Sequence, residues 1–517
     1  MDRSPKHATP DRFRSVVDRA ALAAFIILKI VASFWLVHPS FDRHRDEFLY
    51  LDQGNHLAWG YVSVPPFTSW VSWLVHALGG STFWVQFFPA LFGALTIAAV
   101  WWSVRSLGGG LFARALSATA LLCSGLLRLD LLYQPNSMDV LAWTMVLVLV
   151  VQWVRTERPP WLYAAAFAFA IGILNKYSIV FLGVGIAGGL LLTRQRSLLF
   201  TRHTLIALVI LLVVIGPNLI WQWRNDWPVL AHMEELNATQ LANNDRMDFL
   251  LEQPKMFFAE LLVLVAAFLG LLFHRPMVRY RFVFFTWLIV LGLLTLGKAK
   301  PYYAFGLYPI LLGFGSIALE HWLAEGWLRW LRPVLIIAII AIFLPLVPFI
   351  FPNRPAEVIA ADADRIALMG PSRWEDGEEH ALPQDFADMR GWRELAAKVD
   401  RLRKELLVQG DVLVFCNNYG EAGAINFYAP RVRPAAVTFN ADYAKWFVLD
   451  RDYRSMIYVQ EAEDEEFRAT ADARRFGQVL LVGSITDPWA LERGTRIYQC
   501  TDPKEPIMKV LWEGRWR

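Results

Sequence analysis

Apolar stretches long enough to cross a membrane recur along this chain up to about residue 350, so most of it must fold in a bilayer. They fall near 20–37, 83–104, 112–128, 138–154, 161–174, 177–193, 203–222, 255–273, 281–297, 302–319 and 333–350. That is about eleven spans. The predicted fold class is therefore an α-helical polytopic membrane protein. Composition agrees: 56% of the 517 residues are hydrophobic, against roughly 45–50% in soluble domains. A net charge of +3 is too small to suggest a nucleic-acid partner. No small-residue cleavage site follows the first apolar run, which is read as a retained span.

Basic residues set the orientation. Arg3, Lys6, Arg12, Arg14 and Arg19 place the N-terminus in the cytoplasm. Alternation then puts Arg105 and Arg114, Arg155 and Arg158, Arg194, Arg196 and Arg202, Arg275, Arg279 and Arg281, and Arg329 and Arg332 on the same side. The opposite face receives the polar clusters with chemical potential.

The first of these is the loop Phe41–Thr68, with Asp42, Asp46, Glu47, Asp52 and His56 among arginines. It has about 30 residues, beyond the usual connection length. Its run DEFLYLDQGNHLAWG predicts a helix ending at Gly60, with Asp46 in the first turn, where the helix dipole favours an ionised carboxylate. Asp42 is read as a surface pair with Arg43. PFTSWVSWLVHALGG then predicts a helix lying in the interface. Asp139 sits at the mouth of an apolar run, where an acid is a functional candidate, although it could also cap the helix. Lys176 and Lys298 lie at outer ends of spans, suited to holding a phosphate as point charges. Lys300 repeats the pattern, with Tyr302 and Tyr303 beside it. Gly108–Gly110 is a tight turn with no phosphate-loop lysine after it.

Beyond residue 352 the composition becomes mixed, enough for one α/β domain. The domain boundaries are thus 1–351 and 352–517. Asp385–Leu407 reads as one amphipathic helix, with further helices near 420–428 and 462–474. Strands are predicted at 411–418, 436–439, 455–460, 478–483, 495–500 and 507–512. Following an odd number of spans, this domain is expected outside the cytoplasm. There Cys416 and Cys500 either pair or stay as two isolated buried thiols. Cys123, in an apolar run, is a packing residue.

The segments DEFLYLDQGNHLAWGYVSVPP, ILNKYS, GPNLIWQWRNDWP, GKAKPYY, DFADMRGW and NNYGEAGAINFY, in this order, resemble bacterial glycosyltransferase family 39. That family includes the aminoarabinose transferase of lipid A and the protein O-mannosyltransferases, with the GT-C fold. The resemblance implies inverting transfer of a sugar from a polyprenyl-phosphate donor to a cell-envelope acceptor, at the outer face of a bacterial inner membrane. It implies Asp46, Glu47 and Asp139 as catalytic acids, and Lys176 and Lys298 near the donor phosphate. Tyr50, His56, Tyr302 and Tyr303 are expected to bind substrate. Phe48-Leu49 and Val64 stand where the aminoarabinose enzyme has an arginine and a lysine, so lipid A is not implied as acceptor. No cofactor is assigned; a divalent metal ion on Asp46, Glu47, Asp139 and His56 is left open by their spacing. The alternatives are a transporter or flippase of lipid-linked sugar, and a non-catalytic envelope assembly protein.

Overall fold

Every apolar run read from the sequence falls on a helix. A computed structural model describes residues 9–239, 244–367, 374, 377–430, 435–447 and 451–514. Arg3 and Lys6 lie outside the described residues. Six described helices are long and apolar enough to cross a membrane, or seven if the bent pair Arg246–Met256 and Leu261–Phe273 counts as one. Leu111–Leu122, Pro159–Asn175 and Ile179–Leu191 are apolar but shorter. At about 1.5 Å per residue, helices of this length fall short of a hydrocarbon core about 30 Å thick. By length and apolarity, then, fewer helices qualify as spans than the sequence reading expects.

The chain divides into two compact units, and they are not consecutive pieces of sequence. One comprises Met1–Leu36, Val64–Phe67 and Thr82–Ile350; the other comprises Val37–Ser63, Thr68–Ser81 and Phe351–Arg517. The division expected at 351–352 therefore assigns the first loop differently from the structure.

In the helical unit, Pro135–Thr156 and Pro301–Trp322 are buried over 89% of their apolar stretches, whereas Arg202–Arg224 and Gly326–Ile350 are buried over 17%. The first two are thus central, and Asp139 of Pro135–Thr156 is among their buried side chains. This is the arrangement a bilayer demands, because ionisable groups against lipid are expensive. Away from the clusters described below, Lys29 and Asp130 form a buried ion pair at 3.0 Å. Gly93 makes room for it: a Cβ there would lie 2.3 Å from the Asp130 carboxylate. The glycine run at 108–110 turns with Gly108 at φ +92°. It ends at the helix Leu111–Leu122, whose first backbone N–H groups donate to Glu320.

The second unit is built on a four-stranded sheet. Its strands are β1 (Val412–Cys416), β2 (Ser455–Gln460), β3 (Phe476–Ser484) and β4 (Arg496–Pro503), in the order β1-β2-β4-β3. β1 and β2 are parallel; the other pairs are antiparallel. Alternate side chains feed two cores, as the period of a strand requires. Val412, Val414, Cys416, Ile457 and Ile497 meet Trp392, Leu395, Val399 and Ile425 on one face. Leu413, Phe415, Met456, Tyr498 and Cys500 meet Phe467, Ile507 and Val510 on the other. Cys416 and Cys500 thus lie on opposite faces, and both are free.

Several expectations change here. The helix read across Asp385–Leu407 breaks at Gly391, whose φ of +86° no continuous helix accepts. The long helix starts afterwards, at Trp392–Leu406. The run 507–512 is the helix Ile507–Gly514 rather than a strand. Its buried Ile507 and Val510 are three apart, a helical spacing, and Lys509 pairs with Glu505 and Glu513. Residues 436–439 give one isolated bridge, Phe415 to Val437, and 462–474 hold short 3-10 turns.

Candidate active site

The helical unit gathers three segments that are distant in sequence. Asp139 lies in the first turns of Pro135–Thr156, where its Oδ1 accepts from Trp143 Nε1 at 3.0 Å and its Oδ2 from Ser178 Oγ at 3.4 Å. It is not a cap, since the N-cap position is Gln134. Lys176 stands in the turn after the helix Pro159–Asn175 and donates to Asn136 Oδ1 at 2.8 Å. Its ammonium lies 4.3 Å from the ring centre of Tyr303 and 5.1 Å from that of Tyr302, in cation–π geometry. Burial pulls the Lys176 pKa down to about 8; Asp139 works against that and Lys300 adds to it. So Asp139, Lys176, Tyr302 and Tyr303 come together, with Asn136 and Lys300 joining them. Lys298 is placed differently. It adopts φ +50°, its carbonyl accepts from Asn244 at 2.9 Å, and it lies within electrostatic range of Asp245.

The second unit contains the first loop. Its helix is Arg45–Gln53, stopped at Gly54 rather than Gly60. His44 is its N-cap: the ring Nδ1 accepts from the Asp46 N–H at 3.2 Å. Asp46 is therefore released from capping. Its Oδ1 accepts a 2.6 Å hydrogen bond from the Tyr419 hydroxyl, with Arg45 over the Tyr419 ring at 5.8 Å. Tyr50 lies near the same hydroxyl.

The rest of the loop anchors this unit. Glu47 is 1% exposed, beside Arg43 at 4.0 Å. The adjacent acids thus split, Asp46 half-buried and Glu47 inside. Asp42 is buried, and its charge partner is Arg393 at 3.2 Å instead of Arg43. His44 and Arg45 both approach the buried Asp388 carboxylate at 3.7 Å. Phe48 packs edge-on against Trp392 and Tyr428. His56 stacks on Trp446, centroids 4.3 Å apart and planes 11° apart. The interface helix is Phe67–Ala77, and it turns its small residues Thr68, Ser69 and Ser72 inward. Trp73, Leu74 and Leu78 are exposed there, an apolar face suited to a bilayer surface. Among the described residues, no group of three or more His, Cys, Asp or Glu side chains is arranged to hold a metal ion.

Sequence reasoning missed Tyr419 and Asp388. A signal existed for the first: Asn418 and Glu421 have capping-box spacing, which starts the helix Tyr419–Tyr428 and fixes Tyr419 at its first position. Nothing local marks Asp388 as a partner for residues more than 340 positions earlier.

Helices and sheet together are similar to the crystal structure of ArnT from Cupriavidus metallidurans. The TM-score is 0.64 at 14% identity, covering 97% of this chain and 99% of that one. This is the GT-C fold. A second GT-C structure, ArnT of the same organism bound to undecaprenyl phosphate, matches with a TM-score of 0.60 at 13% identity over 94% of this chain and 97% of the other. Residues 63–221 match the family profile of dolichyl-phosphate-mannose-protein mannosyltransferase. The curated lipid A galacturonosyltransferase RgtD of Rhizobium johnstonii is 25% identical over 232 residues. That match covers 43% of this chain and 48% of RgtD, so it spans about half the length of that relative.

Proposed function

We propose that this protein is an inverting glycosyltransferase that moves a sugar from a polyprenyl-phosphate donor to a cell-envelope acceptor. The observation that carries the reading is the Asp139–Asn136–Lys176–Tyr302–Tyr303 cluster, a half-buried cation placed among aromatic rings in a GT-C fold. The similar fold of a protein bound to undecaprenyl phosphate supports a lipid-phosphate donor.

The donor sugar is joined through C1 to the lipid phosphate. An acceptor oxygen attacks C1 from the opposite face while the bond from C1 to the phosphate oxygen breaks. The configuration inverts, and the lipid phosphate leaves with its electron pair. Lys176 is assigned the negative charge growing on that phosphate, and Asp139 and Asn136 hold Lys176. Asp46 takes the proton if the acceptor is a hydroxyl; if the acceptor is a phosphate, no proton need move and Asp46 orients it. Glu47, buried beside Arg43, suits a positioning role at the start of the Asp46 helix. Lys298, Tyr50 and His56 stay in the proposal as substrate-binding residues. The name of RgtD returns lipid A as a candidate acceptor, although Phe48-Leu49 and Val64 argue against it. Whether the sugar is a hexose or a pentose belongs to the same test.

The proposed setting is the bacterial inner membrane, with a cytoplasmic N-terminus and residues 352–517 outside. A reporter fused after Arg354 that is active only in the cytoplasm would remove that topology. For the activity, purified protein is given labelled polyprenyl-phosphate sugar and envelope acceptor. Labelled acceptor with inverted anomeric configuration is expected. Movement of intact lipid-linked sugar across vesicles without transfer would point to a flippase; binding without either would point to an assembly protein.

A further inference from the structure

The second unit contains a cavity of about 340 Å³, and of the residues proposed above for the transfer only His56 lines it. Asp52, Asn55 and His56 of the first loop line one side, with Asn426, Tyr443 and Trp446 among the residues opposite. Its size is at the lower end of small-ligand sites, about 300–1,000 Å³, enough for one or two sugar rings. Its walls combine two chemistries. His56 and Trp446, stacked ring on ring, both line it. Aromatic faces are electron-rich and attract the polarised C–H groups on one side of a pyranose. Asp52 supplies a carboxylate held in place rather than a mobile surface charge. Its Oδ2 accepts from Asn426 Nδ2 at 2.7 Å and from Tyr443 OH at 2.6 Å. Asn426 is itself fixed, since its amide exchanges hydrogen bonds with the Ala436 backbone N–H and carbonyl. Asn55, whose side chain also hydrogen-bonds Asp52, is exposed at the same wall and keeps an acceptor oxygen and a second N–H for a ligand.

We infer that this cavity is a second saccharide site, which takes a neutral or amino sugar ring and rejects an anionic one. Ring stacking and a rigid carboxylate acceptor select for hydroxyl and ammonium groups. The same carboxylate repels a sugar acid, which gives the site its discrimination. The site is distinct from Asp46. Asp52 comes six residues later on the same helix and so faces a different side at 3.6 residues per turn. As a holder of the acceptor glycan, the site rests on the transfer reaction proposed above; as a sugar site, it stands without that reaction.

The test is saturation-transfer NMR on the full-length protein in lipid nanodiscs, with an equimolar mixture of the methyl glycosides of glucosamine, mannose and galacturonic acid. Saturation of glucosamine and mannose ring protons is expected, with galacturonate weakest. His56→Ala and Asn55→Ala both change exposed side chains and should leave the thermal melt in place. Each should weaken binding about tenfold, the loss of one stack or one hydrogen bond. No saturation, equal saturation in both variants, or galacturonate binding most strongly would overturn the inference. The same preparation is assayed for transfer from the lipid donor. Transfer without sugar saturation removes this site alone; saturation without transfer removes the proposed function and leaves the site as a binding module.

Discussion

Tyr419 donates its hydroxyl to Asp46 across 2.6 Å, although 373 residues separate them. The bond fixes which oxygen is presented. If Asp46 is the acid that meets the acceptor, Asp46→Asn should lower transfer about 10²–10⁴-fold, the usual worth of a general base. The helix cap should be undisturbed, because His44 provides it. Tyr419→Phe keeps the ring under Arg45 and removes the hydroxyl; it should slow turnover by a smaller factor without raising donor KM. Near-normal transfer by a folded Asp46→Asn protein would end the assignment.

Lys176 gives a pH prediction. Its pKa is held down at about 8 by burial. The ammonium is present below that value and is lost as pH rises through it. Affinity for a polyprenyl-phosphate donor should therefore be level from pH 6 to 7 and fall between pH 7 and 9. Lys176→Ala should bind weakly at every pH, with a flat profile over the same range. A wild-type profile flat to pH 9.5 would show that this cation does not hold the phosphate.

Gly93 makes room for a buried charge pair. Glycine to alanine within a helix normally helps by about 1 kcal/mol. Here the added methyl would meet the Lys29–Asp130 pair. Breaking a buried ion pair costs about 3–5 kcal/mol. Gly93→Ala should therefore lower Tm in detergent, whereas Gly216→Ala, with open space around its Cβ, should not. Equal melting of the two variants would refute the packing argument.

The thiols make a simple chemical prediction. Cys416 and Cys500 feed opposite faces of one sheet. Protein purified without reductant, denatured and alkylated, should show three modified cysteines by mass. Two fewer would mean that the sheet is not arranged as described.

Much of this was legible because membrane burial writes itself into composition. Apolar runs locate the helices whatever they pack against, and a lone Asp139 or Lys176 stands out within them. The α/β unit was legible where a short continuous apolar run marks a strand buried on both faces, as in β1 and β2. The errors came where local pattern was ambiguous. IMKVLW is short and apolar enough for either period, and Gly391 interrupts an amphipathic run that otherwise continues. The roles of Asp42 and Asp388 were not legible at all. Their partners lie hundreds of residues away, and no local spacing announces a long-range ion pair. Lys29 in the first span and Asp130 after the third run were each visible, but nothing in either run named the other.

Phe48 has a consequence for how the protein is made. It is a core residue, and the core it completes is closed by Trp392, Ile425 and Ile457. Roughly 340 residues must be added after Phe48 before Trp392 exists, about 20 s to a minute of synthesis. Until then the helix that carries Asp46 has no partner to fold against, and its apolar side is open to chaperones and proteases. Assembly of the Asp46 region is thus among the last events in the biogenesis of this chain. A truncation late in the gene should read out as degradation at its first loop.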